Sequence, residues 1–142
     1  MRIYELLRNK GFDVITVRPG TPVAEVISLL REYNLGAVVI SVDGRQVSGI
    51  VTERDIVRRL ADDTEFLTGP VSEIMTAEVH TCKAADSVQS LMSTMTDRRI
   101  RHLPVVEGGR LVGIVSIGDL VKYRMERIEA EADAMRAYIQ SA

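Results

Sequence analysis

Two residue pairs in this chain combine a small hydroxyl side chain with an aspartate three positions later. Thr52 precedes Asp55, and Ser116 precedes Asp119, 64 positions further along. A carboxylate can accept hydrogen bonds from both hydroxyls of a ribose, and a hydroxyl side chain can bond a ribose or phosphate oxygen. We therefore interpret the two pairs as related candidate binding sites.

Each aspartate also has a structural interpretation. Asp55 and Asp119 stand where a helix is predicted to begin, and aspartate is a common helix N-cap. The free N–H groups and positive dipole end of that helix would favour a phosphate. Capping and binding are compatible, and the recurrence of the aspartate with its hydroxyl partner favours a role in binding.

The sequence around both pairs is duplicated. Residues 3–7 correspond to 71–75, and residues 14–17 correspond to 79–82. A repeat of this length in 142 residues predicts two half-domains stacked on one another.

Each copy shows the same order of predicted elements. A short strand comes first, and an amphipathic helix with apolar residues at i, i+3, i+4 and i+7 follows, with Thr21 or Asp86 as the expected N-cap. Two apolar strands then surround Asp-Gly at 43–44 or Gly-Gly at 108–109, which are hairpin signals. A last helix completes a β-α-β-β-α unit, so the fold class is α+β. Residues 1–62 form the first repeat with its lead-in helix, 63–77 a linker and second lead-in, and 78–124 the second repeat.

The C-terminal segment, 125–142, extends the last helix of the second repeat. Neither Gly nor Pro interrupts it, and its apolar residues alternate in spacings of 4 and 3, a heptad seam: Val121, Met125, Ile128, Ala132, Met135 and Ile139. This amphipathic helix either lies back on its own domain or pairs between subunits. Its length beyond the repeat favours pairing between subunits.

Composition excludes several classes of protein. Apolar residues make up 46% and charged residues 27%, as in soluble globular proteins, and the net charge of −2 lacks the basic excess of a nucleic-acid binder. Only the run 98–101 is locally basic. Cys82 is the only cysteine, so no intramolecular disulfide can form and a reducing compartment is expected. No signal peptide and no membrane-spanning apolar stretch are visible, and we expect a cytoplasmic protein.

No catalytic constellation is visible either. His80 and His102 are the only histidines, and neither stands at metal-ligand spacing with Cys82. The chain has no Walker A loop and no nucleophile elbow. We therefore expect neither an enzyme nor a metal site.

The duplicated motif Gly-x-x-Thr/Ser-x-x-Asp, with the segments 50–55, 72–76, 101–106 and 113–119, resembles the CBS domain (the cystathionine β-synthase domain). The tandem resembles a stand-alone Bateman module over roughly residues 1–125. The resemblance implies two CBS repeats packed with pseudo-twofold symmetry, and two clefts between them that bind adenosine nucleotides. AMP is the first expected ligand, with ATP, ADP, NAD and S-adenosylmethionine as alternatives.

The resemblance also assigns residues to each cleft. The cleft at Asp55 would use Thr52, Arg54, Gly36, Ala37, Val79, His80 and Arg101. The cleft at Asp119 would use Ser116, Arg101, His102, Val14, Ile15 and Gly36. Because Arg54 precedes Asp55 whereas Gly118 precedes Asp119, our hypothesis is that the Asp55 cleft binds phosphate more tightly. The alternative is that Arg54 and Arg101 are solvated surface charges.

The implied function is regulatory rather than enzymatic. A nucleotide would shift how the halves or subunits sit, and the homodimer would signal to an unidentified effector protein, with no membrane involved. The alternative is a ligand-independent dimerisation or adaptor module whose clefts are vestigial.

Overall fold

The computed structural model describes residues 1–141 and confirms the α+β fold class. The first half contains α1 (Ile3–Lys10), β1 (Thr16–Val17), α2 (Val23–Glu32), β2 (Ala37–Ile40), β3 (Gly49–Thr52) and α3 (Glu53–Leu60). Two 3₁₀ turns, Glu65–Thr68 and Val71–Glu73, connect the halves. The second half contains α4 (Val88–Arg98), β4 (His102–Glu107), β5 (Arg110–Ser116) and α5 (Ile117–Ser141).

The two sheets differ at their first strand. In the first half β1 pairs with β2 in parallel and β2 pairs with β3 antiparallel, whereas β4 pairs only with β5 among the named strands. The strand predicted over 79–82 is not formed. Its pairing is reduced to a parallel bridge between Cys82 and Val105. Residues 78–80 leave the sheet edge and line the cleft described below.

The predicted caps of the two central helices were wrong by one residue. Pro22 and Ser87 are the N-caps of α2 and α4, and the Ser87 hydroxyl accepts a hydrogen bond from the Ser90 N–H at 3.0 Å. The Asp86 carboxylate instead accepts from the Lys83 N–H at 2.8 Å, within the turn before α4.

The two lead-in segments, which are α1 and the 3₁₀ turn Val71–Glu73, are exchanged between the two cores. Ile3, Leu6 and Leu7 of α1 are buried in the core that α4, β4, β5 and α5 form. Val71 is buried with Phe66 in the core that α2, α3 and the three-stranded sheet form. Each repeat is therefore completed by the segment that precedes the other repeat in sequence. The sequence division groups α1 with the first repeat, whereas the packing groups it with the second.

Main-chain hydrogen bonds hold both lead-ins at equivalent places. The Ile3 N–H donates to the Asp86 carbonyl at 2.9 Å, and the Val71 N–H donates to the Thr21 carbonyl at 2.7 Å. Each bond joins a lead-in to the turn before the central helix of the repeat that it completes. This correspondence is the pseudo-twofold symmetry of the molecule.

Two glycines allow the lead-ins to pass close to the sheets. A Cβ at Gly113 would lie 3.0 Å from the Leu7 side chain, and a Cβ at Gly49 would lie 3.0 Å from the Thr76 carbonyl oxygen and overlap the Met75 side chain. Both distances are too short for a comfortable contact. A side chain at Gly49 or Gly113 would therefore require the adjacent lead-in to shift.

The long helix α5 uses only its first turns to pack on its own domain. Leu120 and Tyr123 are buried there, and the Tyr123 hydroxyl donates to a Glu5 carboxylate oxygen at 3.1 Å. The predicted seam is left uncovered: Met125, Ile128, Met135 and Ile139 are each more than half exposed. The seam does not lie back on its own domain. Among residues 1–141, no helix combines the length and the apolarity that crossing a membrane would require.

The exchange of lead-ins predicts which repeat a destabilising substitution in α1 will affect. Leu7→Ala removes a fully buried side chain and should lower the free energy of unfolding by about 2–5 kcal/mol in urea titration. Native-state hydrogen exchange should show the loss of protection first in α4, β4 and β5 rather than in α2 and β2. Val71→Ala, the mirror variant, should weaken protection in the first repeat. Loss of protection in the first repeat on Leu7→Ala would contradict the exchange.

Candidate functional site

A cleft of about 290 Å³ lies between the two repeats beside Asp55. The first repeat contributes Gly36 just before β2, the end of β3 and the start of α3. The second repeat contributes the residues before β4 and the segment 78–80. Eight of the residues assigned from sequence line it: Gly36, Thr52, Arg54, Asp55, Val79, His80, Arg101 and His102.

The local hydrogen bonds of Asp55 correct its predicted position in the helix. Thr52, not Asp55, is the N-cap of α3: its hydroxyl oxygen accepts from the Asp55 N–H at 3.3 Å. The Asp55 Oδ2 atom accepts in return from the Thr52 N–H at 2.9 Å. This capping box fixes the carboxylate at the mouth of the cleft. One of its oxygens serves the helix, and the carboxylate has acceptor capacity left for a ligand hydroxyl.

The same correction holds in the second repeat. The Asp119 Oδ2 atom accepts from the Ser116 N–H at 2.9 Å, and the Ser116 hydroxyl oxygen accepts from the Asp119 N–H at 3.1 Å. The spacing of hydroxyl and aspartate that marked both sites in the sequence is therefore, in both places, a capping box at the start of a helix.

The charges around the cleft favour an anionic ligand. Arg54, Arg58, Arg99 and Arg101 line it, against the carboxylates of Glu53, Asp55 and Glu78. Arg58 and Arg99 were not assigned from sequence. Arg58 follows Arg54 by one helical turn and so shares its face of α3, a spacing that could have identified it.

The position of Arg99 depends on an unusual backbone conformation. Arg99 follows α4 in the left-handed region, with φ of +55°, and its N–H bonds the carbonyls of Met95 and Thr96. A non-glycine residue pays roughly 1 kcal/mol or more for this conformation. The turn directs Arg99, Ile100 and Arg101 along the cleft wall, which the basic run in the sequence only suggested.

Gly36 leaves room for the imidazole ring of His102 beside the cleft. A Cβ at Gly36 would lie 3.0 Å from both Nε2 and Cε1 of His102 and 3.0 Å from Oε1 of Glu53. The Gly36 carbonyl also accepts from the Glu53 N–H at 3.0 Å. The neighbouring Ala37 is buried in β2, away from the cleft lining.

His102 lies between the two candidate sites. It lines the Asp55 cleft, and its Nδ1 atom is buried with no hydrogen-bond partner among the described residues. Burial lowers the pKa of His102; the charges of Lys10 and Arg101 act in the same direction, and Asp119 and Glu53 oppose it. The ring is therefore neutral near pH 7, so it offers the cleft a stacking or polar surface rather than a charge.

At the second candidate site, the Asp119 carboxylate is bonded by a side chain of the protein itself. The Lys10 Nζ atom donates to Asp119 Oδ2 at 2.5 Å and to the Ile114 carbonyl at 2.7 Å. Gly11, with φ of +111°, ends α1 directly after Lys10. Burial raises the pKa of Asp119, but bonds from Lys10 and Ser116 outweigh burial, and the pKa lies below its ordinary value. The Asp119 carboxylate therefore stays ionised, and its Oδ2 atom is paired with the Lys10 ammonium group.

The remaining assigned residues lie outside the Asp55 cleft. Val14 and Ile15 are half-buried in the segment before β1, and Ser116 and Asp119 belong to the Lys10 contact. Seven lining residues were missed in the sequence: Ile50, Glu53, Arg58, Thr76, Glu78, Arg99 and Ile100. Ile50, Thr76 and Ile100 give the cleft apolar and main-chain surface.

Comparison with known proteins identifies the repeat. The family model of the CBS domain matches residues 5–62 and 71–126. The chain is 35% identical over 123 residues to the CBS domain-containing protein CBSX3, mitochondrial, of Arabidopsis thaliana, covering 83% of this chain and 60% of that protein. It therefore spans less than two thirds of that relative. The crystal structure of the CBS-domain containing protein ATU1752 from Agrobacterium tumefaciens superposes with a TM-score of 0.83 at 44% identity, covering 87% of this chain and 99% of the other.

Two similar structures contain adenosine compounds. The CBS domain protein PAE2072 from Pyrobaculum aerophilum, complexed with AMP, is 31% identical with a TM-score of 0.74, covering 84% of this chain and 89% of that one. The CBS domain pair of protein MJ0100, in complex with 5′-methylthioadenosine and S-adenosyl-L-methionine, is 26% identical with a TM-score of 0.78, covering 89% and 98%. With both repeats matched by the family model, this chain belongs to the CBS domain family and carries a tandem pair of CBS domains.

Proposed function

We propose that this CBS pair is a non-enzymatic regulatory module that binds an adenosine nucleotide, AMP in the first instance, in the cleft at Asp55. The observation that carries the proposal is the Thr52–Asp55 capping box, which holds a carboxylate at the mouth of a cleft lined by four arginines. That combination suits a ligand with hydroxyl donors at one end and a phosphate at the other.

In this proposal each part of the nucleotide has its own partners. The ribose hydroxyls donate to the Asp55 carboxylate. The phosphate binds the N-terminus of α3 and the arginines, with Arg54 and Arg101 as the principal cations. The adenine lies against the apolar surface of Ile50, Val79 and Ile100 and accepts main-chain bonds from the segment 78–80.

The size of the cleft favours a mononucleotide. Its volume of about 290 Å³ lies at the lower end of the range for small-molecule pockets, about 300–1,000 Å³. AMP or 5′-methylthioadenosine suits that space better than NAD. The AMP found with PAE2072 supports the same choice.

The regulatory part of the proposal follows from where the cleft lies. Its walls come from both repeats, so a ligand that binds one relative arrangement of the repeats better than another will shift the population toward it. A tenfold difference in affinity supplies about 1.4 kcal/mol of bias. The effector would be a separate protein that recognises the shifted arrangement of a homodimer, and the cytoplasm is the proposed location.

The proposed contact between Arg54 and the phosphate predicts that two variants will differ in their affinity for AMP. Arg54→Ala should weaken AMP binding about tenfold or more in calorimetric titration, since charge-assisted hydrogen bonds contribute roughly 1.5–3 kcal/mol each. Lys122→Ala, an exposed cation near the start of α5, is the matched control and should change the affinity less than twofold. Equal effects of the two variants would count against a phosphate at Arg54. Absence of AMP binding to the unmodified chain would favour the adaptor function.

The Lys10–Asp119 contact predicts the binding stoichiometry. The unmodified chain should bind one AMP per chain, because Lys10 holds the second aspartate. Lys10→Met keeps the length of the side chain but removes its charge, and a second, weaker AMP should then bind. Arg8→Met, a neighbouring exposed cation of α1, should leave one site. Two sites in the unmodified chain, or one site in Lys10→Met, would show that Lys10 does not close the cleft.

A further inference from the structure

The exposed seam of α5 leaves most of a long helix without support. From Met125 to Ser141 every residue except Ala132 is exposed. Most of the stability of helices in proteins comes from packing of an amphipathic face, and this part of α5 packs against nothing among the described residues. Val121, Met125 and Ile128 begin a stripe that continues along the helix for its whole length. The residues that anchor α5 on its own domain, Leu120 and Tyr123, lie on a different face, so the stripe is available to a partner.

The residues beside the stripe indicate what the partner is. In heptad notation the a positions are 125, 132 and 139, and the d positions are 121, 128 and 135. The flanking g positions carry Arg124 and Glu131, and the flanking e positions carry Glu129 and Arg136, with Lys122 at the e position one heptad before Glu129. In coiled coils these flanking positions select the partner and its direction.

A second copy in parallel orientation pairs opposite charges. In a parallel pair each g residue faces the e residue five positions later on the other helix. Arg124 then faces Glu129, and Glu131 faces Arg136. Both pairs occur twice because the arrangement is symmetric, so the charges of α5 are complementary to those of its own copy.

The antiparallel arrangement that overlaps the whole stripe brings like charges together. Lys122 then faces Arg136, Glu129 faces its own copy, and so does Glu131. A shift by one heptad relieves this repulsion but leaves only four of the six seam residues opposite a partner. Burial of the apolar stripe therefore opposes the shift.

We propose that α5 helices of two copies pair in parallel through residues 121–139 as a left-handed coiled coil. The two-fold axis then runs along the coil, and both CBS pairs lie at the same end of it. This inference is independent of the nucleotide, because none of its residues lines the cleft at Asp55.

Cross-linking tests the direction of the helices. In a parallel pair the two residues 139 are neighbours, whereas in the antiparallel pair they are about 27 Å apart. Ile139→Cys should give a disulfide-linked dimer with oxidised glutathione, and Ala137→Cys, on another face of α5, should not. The native Cys82 is buried, and burial raises its pKa to about 12, so it does not compete. A monomeric Ile139→Cys product would overturn the parallel arrangement.

Sedimentation equilibrium tests the surface itself. The full chain should be a dimer, and Ile128→Asp at a d position should raise the dimer dissociation constant about tenfold or more. Ala130→Asp, at another exposed position off the stripe, is the matched control and should change it less than twofold. A dimer that tolerates Ile128→Asp as well as Ala130→Asp, or a monomeric full chain, would refute pairing through α5.

Discussion

The structure depends on the exchange of lead-in segments between the two repeats. Leu7 is buried in the second core and Val71 in the first, so neither repeat has a complete core without the segment that precedes the other. A half-domain of about 60 residues buries little apolar surface by itself. The exchange makes the two halves one cooperative unit, and it places the residues that follow the second lead-in beside Asp55 and the end of α1 beside Asp119.

The same exchange makes the two clefts different. After the 3₁₀ turn ends at Glu73, the chain continues past Met75 and lines the Asp55 cleft with residues 78–80. After Leu7 the helix α1 instead continues to Lys10, which reaches Asp119. The second lead-in is thus followed by residues that line the Asp55 cleft, and the first ends in a cation that bonds Asp119. The duplicated fold therefore holds two copies of one capping box; the copy at Asp55 lines a cleft, and the aspartate of the other copy is bonded by Lys10.

Features set by local spacing could be predicted from the sequence. The two hydroxyl–aspartate pairs, the hairpin turns and the heptad seam all rest on residues a few positions apart. The caps of α2 and α4 were misplaced by one residue because Thr21 and Asp86 are good capping residues that lie one position too early. The Asp86 carboxylate bonds the preceding turn instead, and Thr21 bonds through its main chain. The helical role of Asp55 was similarly shifted, since Thr52 already fills the N-cap.

Features set by long-range contacts could not be predicted in this way. Lys10 and Asp119 are 109 positions apart, and their contact depends on the exchange and on the length of α1. Alignment of residues 3–7 with 71–75, and of 14–17 with 79–82, leaves three more residues in the first lead-in. The structure places them in an additional turn of α1. The insertion is visible in the sequence. The Lys10–Asp119 contact that it produces could be predicted only by knowing which repeat α1 completes.

The central claim is that the Asp55 cleft, and not the Asp119 cleft, is the nucleotide site. A crystal structure of the chain grown in saturating AMP tests it most directly. We expect one AMP per chain, with ribose oxygens within hydrogen-bond distance of the Asp55 carboxylate and Lys10 still bonded to Asp119. AMP at Asp119 in place of Lys10, or an Asp55 cleft without nucleotide, would contradict it.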